Sequence, residues 1–303
     1  MRWDDFRRSD NVEDDRDGGG GFGGGFGAGG GGLGIGTIVV LGLIGWAFGI
    51  DPRLLIGGAE MLNRGTSQYQ QQPYQPPRQQ KGAPSDQAGQ FVAAVLGNTE
   101  DTWSDVFRES GQRYRAPRLR LFSGAVQGGC GMAQAAMGPF YCPQDQVIYL
   151  DTSFFDQIER RFRGCSGAAC KFSQAYVIAH EVGHHVQNLL GILPKAQQAQ
   201  QASGDRTRAN QIQVRVELQA DCLAGVWANR SEQKKSFMDA GDIDAALQTA
   251  TAIGDDTLQR QTQGRVVPDA FTHGSAEQRK RWFTTGFQQG KISACNTFPA
   301  ANL

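Results

Sequence analysis

Three of the chain's four histidines fall in one stretch, VIAHEVGHHVQNLL, residues 177–190. His180 and His184 bracket Glu181 in the order H-E-x-x-H. Residues four apart on a helix stack on one face, so these two imidazoles can reach one tetrahedral ion. Glu181, next to the first ligand, is placed to meet a metal-bound water. His185 lies about 100° round the helix from His184, so it is not expected to be a ligand. The competing reading is a helix that merely carries histidines. With only four in 303 residues, this spacing is improbable by chance.

Zinc needs a third protein ligand. NQIQVRVELQADCLAGVWANR, residues 210–230, reads as a second helix and carries Glu217 and Asp221 four apart. Glu217 is assigned as the third ligand. Asp221 would stand behind, accepting the outer N–H of a ligand histidine and fixing its tautomer. A solvated acidic pair is the alternative, disfavoured by apolar neighbours Val216, Leu218, Ala220, Leu223 and Ala224. Two histidines and one glutamate leave an open position for water, which zinc brings to a pKa near about 7. Glu181 would take its proton as general base and pass it to the leaving amine. The fourth histidine, His273, sits in DAFTHGSAEQRKRWF just before a helix start, with Arg279 in that helix's first turn. The histidine's junction places it to reach into a cleft, and both residues are candidate catalytic residues.

These residues need positioning elements. The first helix is expected from Ser173, as its cap, to Leu190, with Gly191 ending it and Pro194 beyond. Ser275 and Gln278 fit a capping box for the last helix. QVIYLDTSFF, residues 146–155, alternates as a strand over Val147, Tyr149 and Asp151.

The rest of the chain is uneven. Formal net charge is zero, which gives no reason to expect a nucleic-acid partner. Residues 1–17 are mixed in charge and 18–32 are a glycine tract, so 1–32 is expected to be a disordered tail. LGIGTIVVLGLIGWAFGI, residues 33–50, carries no charge. As a helix it would run about 27 Å, close to the roughly 30 Å hydrocarbon core, so a transmembrane helix in the lipid bilayer is expected. No small-x-small cleavage pattern follows it closely, which favours an uncleaved anchor over a signal peptide. Residues 51–85 form a linker, rich in Gln and Pro from 64, and 86–303 form the folded domain. Basic residues mildly favour the N-terminus inside.

All six cysteines lie in the folded domain. An even count on one side of a span suggests disulfides in an oxidising compartment, hence a single-pass inner-membrane protein with its domain extracytoplasmic. Of fifteen pairings, Cys130–Cys142, Cys165–Cys170 and Cys222–Cys295 are preferred. The first two close short loops around glycines, and the third staples the C-terminal tail to a helix. Buried thiols, or a zinc cluster lacking any C-x2-C knuckle, are the alternatives.

HEVGH followed by Glu217 and Asp221 resembles the gluzincin pattern HExxH…ExxxD. The closest likeness is to the bacterial putative neutral zinc metallopeptidase family, through MRW, SDNVEDDR, YCPQDQVIYLDTSFF, AHEVGHHVQ, ELQADCLAG and FTHGSAEQR. The resemblance implies an α+β, zincin-like domain, mainly helical with a small sheet, that hydrolyses peptide bonds. A more distant likeness to membrane zincins of the CAAX-protease type lies in a histidine followed six residues later by arginine, as in His273 and Arg279. It strengthens both as site residues, although those relatives have several spans. In zincins an edge strand before the active helix pairs with the extended substrate, a part expected here of residues 146–155. Two other readings stay open: an inactive zinc-binding envelope scaffold, and a zinc amidase acting on cell-wall peptides.

Overall fold

The computed structural model describes residues 1–16, 84–160, 165 and 170–303. Helix α1, Gln87–Glu109, starts where the Asp86 carboxylate accepts the Gly89 amide. Four strands form one sheet in the order β1-β2-β6-β5: β1 Val12–Asp14, β2 Arg118–Phe122, β5 Phe140–Cys142 and β6 Val147–Asp151. A separate antiparallel hairpin pairs β3, Ala125–Gly128, with β4, Gly131–Gln134. Helix α2, Ser153–Arg160, follows the sheet. The remaining helices are α3 Cys170–Leu189, α4 Ile192–Ala202, α5 Arg206–Lys235, α6 Asp242–Ala252, α7 Asp255–Gln263 and α8 Ala276–Gln289. The mixed, mainly helical α+β architecture is the expected one.

The core joins α1, α3, α5 and α8 to the sheet. Phe91, Trp103, Phe172, Trp227, Phe237 and Phe283 are its large buried rings. Trp227 donates its indole N–H to Asn98 of α1 at 2.7 Å, so the polar edge of the ring is satisfied inside the core. At the α5–α8 crossing, a Cβ on Gly286 would stand 1.8 Å from the Cys222 carbonyl oxygen. Only glycine lets the two backbones meet there.

Three expectations are corrected. Residues 1–16 are not a disordered tail: β1 pairs in parallel with β2, and Phe6 and Val12 are buried in the core. Short charged sequence hid this, because its charges are matched locally, Glu13 with Arg118 at 3.1 Å and Asp15 with Arg120. Residues 146–155 do contain a strand, but β6 is internal, with β2 on one side and β5 on the other. Every residue of β6 is buried, as a strand covered on both faces requires. It therefore offers no edge to a substrate, and β5 is the outermost strand on that side. Helix α3 begins at Cys170, a turn before Ser173, which lies buried inside it. Pro194 lies in the first turn of α4, after Gly191 has turned the chain at φ +71°. The glycine tract after residue 16, the expected span 33–50 and the linker to residue 83 lie outside the described residues. No helix among the described residues is long and apolar enough to cross a membrane.

All three preferred disulfides are present, Cys130–Cys142, Cys165–Cys170 and Cys222–Cys295.

Candidate metal centre

Helices α3 and α5 cross where Gly183 faces Ala220. A Cβ on Gly183 would stand 3.0 Å from the Ala220 carbonyl oxygen. This close approach carries the histidine face of α3 onto Glu217. One Glu217 oxygen lies 3.2 Å from His180 Nε2 and 3.4 Å from His184 Nε2. The other accepts the Gln213 amide at 2.7 Å. The three ligand atoms lie within 4.8 Å of one another.

The outer nitrogen of each imidazole is held by the protein. His180 Nδ1 lies 2.8 Å from Asp221, and a carboxylate can only accept, so the proton is on Nδ1 and Nε2 faces Glu217. His184 Nδ1 meets the Gln187 side-chain oxygen at 2.9 Å. Gln187 in turn donates to the Val216 carbonyl at 2.8 Å and to Gln219 at 3.0 Å. Gln219 donates to the Cys295 carbonyl at 2.8 Å. A buried relay thus runs from the second ligand to the stapled C-terminal tail.

Behind His180 sits a buried polar knot. Asp221 accepts Tyr176 Oη at 2.6 Å and Arg279 through Nε at 2.8 Å and Nη2 at 2.9 Å. Burial alone would raise the Asp221 pKa, but Arg279 and His180 hold it well below the usual range. Burial likewise works against a charge on His180, yet Asp221 and Glu217 raise its pKa to about 10. Arg279 is 3% exposed. It points into this knot, on the far side of His180 from Glu217, and so orients Asp221 instead of facing the cleft. That corrects its expected catalytic role: the capping box of Ser275 and Gln278 is present as read, but the first turn of α8 is packed against α5.

Glu181 is buried, which raises its carboxyl pKa against the pull of His184, His180 and the Tyr141 backbone. His185 faces away from the ligands, as expected. Its Nε2 lies 2.6 Å from the Arg115 carbonyl and so carries the hydrogen, leaving Nδ1 to accept Tyr141 Oη at 3.0 Å. Asn188 completes the chain by donating to Tyr141 Oη at 2.9 Å. Burial lowers the His185 pKa to about 4.

His273 lies on the open side, its side chain 53% exposed. Desolvation would lower its pKa, but Glu217 and Asp255 raise it on balance. Asp255, in the first turn of α7, was not visible as a site residue. One of its oxygens accepts the amides of Thr272, His273 and Gly274 at 2.6, 2.6 and 3.0 Å. The other faces His273 Nδ1 at 3.5 Å. Gln187 was missed as well. Its spacing of three from His184 on one helix face is a signal that could have found it.

The donor set fits zinc. Two ligands at about 2.0–2.1 Å from one tetrahedral ion lie roughly 3.3 Å apart, against the 3.2 and 3.4 Å found here. Both histidines present Nε2 with Nδ1 already bonded, and a single carboxylate completes the three protein ligands of an open site.

The helix pair thus presents the two-histidine, one-glutamate donor set of a zinc centre, with both histidines from one H-E-x-x-H turn. The chain belongs to the family described as "Putative neutral zinc metallopeptidase", whose model matches residues 1–298. It is 45% identical over 305 residues to "Uncharacterized protein YpfJ" of Escherichia coli K12, covering 98% of this chain and 99% of that one. It is 46% identical over 232 residues to an uncharacterized protein of Mycobacterium tuberculosis H37Rv, covering 73% of this chain and 75% of that one. No solved structure matches it.

Proposed function

We propose that the protein is a zinc-dependent endopeptidase acting on peptide or protein substrates. The observation that carries this reading is the convergence of His180 Nε2 and His184 Nε2 on one oxygen of Glu217, with Glu181 on the same helix. A bound zinc ion would polarise the scissile carbonyl and lower the pKa of water held at the open position. Glu181 takes the proton of the attacking water and delivers it to the leaving amine. Its burial keeps that carboxyl basic. His273, at the open side, donates to the developing oxyanion. Asp221, Tyr176 and Arg279 hold the His180 tautomer, while Gln187 and Gln219 hold that of His184.

Glu181 favours this reading over an inactive scaffold, because a purely structural site needs no base there. The three disulfides fit an oxidising, extracytoplasmic compartment, and the apolar residues 33–50 make the bilayer a partner.

The test is the full-length chain purified in detergent, assayed for zinc and for cleavage of an unfolded protein. Glu181→Gln should keep its zinc and lose hydrolysis by about 10²–10⁴-fold. Equal cleavage by wild type and variant would sink the mechanism. Glu217→Ala should lose the metal, and full zinc retention there would remove Glu217 from the ligand set.

A further inference from the structure

Residues 1–16 precede the apolar stretch 33–50 in the chain, whereas the sheet they join is made from residues after it. β1 lies along β2 in register, Val12 with Leu119, Glu13 with Arg120 and Asp14 with Leu121. Two backbone bonds extend the ladder, from Leu119 N to the Asn11 carbonyl at 2.9 Å and from Asp15 N to the Leu121 carbonyl at 2.8 Å.

The contact is not a loose strand addition. Glu100 of α1 is 6% exposed, and its side chain is satisfied from the N-terminal segment: Arg7 at 2.6 Å, Ser9 Oγ at 2.5 Å and Asn11 Nδ2 at 2.7 Å. Gly97 is shaped for the segment too, since a Cβ there would stand 2.2 Å from the Arg7 carbonyl oxygen. The Ser9 amide donates to the Ala93 carbonyl at 2.9 Å. All of these partners of the α1 carboxylate come from residues 1–16.

The exit and return points of the intervening chain are also fastened. Arg16 meets both oxygens of Asp86, each at 2.8 Å, in a forked pair. The same guanidinium holds Asp14 at the end of β1, and Asp86 caps α1. The chain therefore leaves the domain at Arg16 and rejoins it at Asp86, at one spot on one surface.

A segment that crosses a bilayer once leaves its two ends on opposite faces. We infer that the N-terminal segment and the peptidase domain occupy the same face of the membrane. The count of flanking basic residues then does not decide orientation, because both flanks lie on one side. With the disulfides placing the domain in an oxidising compartment, the N-terminal segment is extracytoplasmic as well. This inference rests on the packing of residues 1–16 and is independent of whether zinc or hydrolysis is found.

The full chain in bacterial cells tests it. One site for a sequence-specific protease is placed within residues 18–32 and another after Leu303, each in a separate variant. Spheroplasts and inverted vesicles are then treated with that protease. In both variants Glu13→Cys and Arg120→Cys, which replace register partners, report docking by an internal cross-link in intact cells. The expected result is cleavage of both sites from the same face, with the cross-link formed. Cleavage from opposite faces overturns the inference. So does a chain with an accessible C-terminal site and no β1–β2 cross-link.

Discussion

The loop carrying His273 hangs by three backbone amides from one oxygen of Asp255, while the other oxygen faces His273 Nδ1. If His273 donates to the oxyanion, Asp255 is its positioning residue, and the two should act as a unit. His273→Ala should lower kcat by about 10²-fold with zinc content unchanged. Asp255→Asn keeps the shape but loses the charge and should lower kcat through the same histidine. The double variant should be no worse than His273→Ala alone, since residues acting as a unit are not additive. Full additivity would separate them. His185 supports a different measurement. Its folded pKa is lowered to about 4 from an ordinary 6.5, so the folded state binds fewer protons than the unfolded one between those values. Its contribution to stability is complete above about pH 6.5 and is lost as pH falls toward 4. The loss is on the order of 3 kcal/mol for a group this buried. His185→Gln should show a shallower fall in Tm than wild type between pH 6.5 and 4, and parallel curves would remove His185 as the cause. The ligands were legible because H-E-x-x-H and E-x-x-x-D each sit within one helix, where spacing fixes the face. Asp255 was not, because it reaches His273 across a turn between two helices, and no local period encodes that contact. Arg279 was misplaced for the same reason: its spacing from His273 is local, but its partner Asp221 is on another helix.

Helix α5 supplies Glu217, Asp221 and Gln219 from consecutive turns, and Cys222 fastens it to the tail through Cys295. The staple closes a separation of 73 residues, worth roughly 4 kcal/mol in restricting the unfolded chain. Gln219 also needs the Cys295 carbonyl to complete the relay from His184. Replacing both cysteines by alanine should therefore lower stability by about that amount and weaken zinc binding by roughly 10-fold or more, within the range seen when supporting contacts are lost. Denaturant unfolding and competitive zinc titration read the two effects, and unchanged zinc affinity would show that the relay does not depend on the staple. The helices themselves were visible from periodicity and caps, although α3 starts earlier than its serine suggested, since the Cys165–Cys170 bridge lies where its first turn begins. The sheet was harder to read. The near-continuous apolar run of β6 carries the signature of a doubly covered strand, and period-two alternation is the wrong template for it. β1 has three residues, too few for any pattern, and it finds its partner more than a hundred positions away.

At the scale of the whole molecule, the folded unit is discontinuous: residues 1–16 belong with 84–303. A chain cut at the apparent domain boundary, beginning at 84, would expose the β2 edge, uncover the apolar surface that Phe6 and Val12 bury, and strip Glu100 of Arg7, Ser9 and Asn11. Losing the burial of a Phe or Val side chain costs about 1.5–3 kcal/mol. An open β2 edge also invites pairing with a second chain. The truncated chain should therefore unfold at lower temperature and tend to aggregate, even though every zinc ligand is present. A second chain, with residues 1–16 joined to 84–303 by a short Gly/Ser linker, should recover wild-type unfolding. Its ends are already close, because Arg16 and Asp86 meet at 2.8 Å, so a short linker adds little closure cost. Differential scanning calorimetry on the two chains, with light scattering for aggregation, makes the comparison. A synthetic peptide of residues 1–16 added to the truncated chain should raise its Tm in proportion to occupancy. Equal Tm values for the linked and truncated chains would mean that the N-terminal segment rests on a domain that is complete without it.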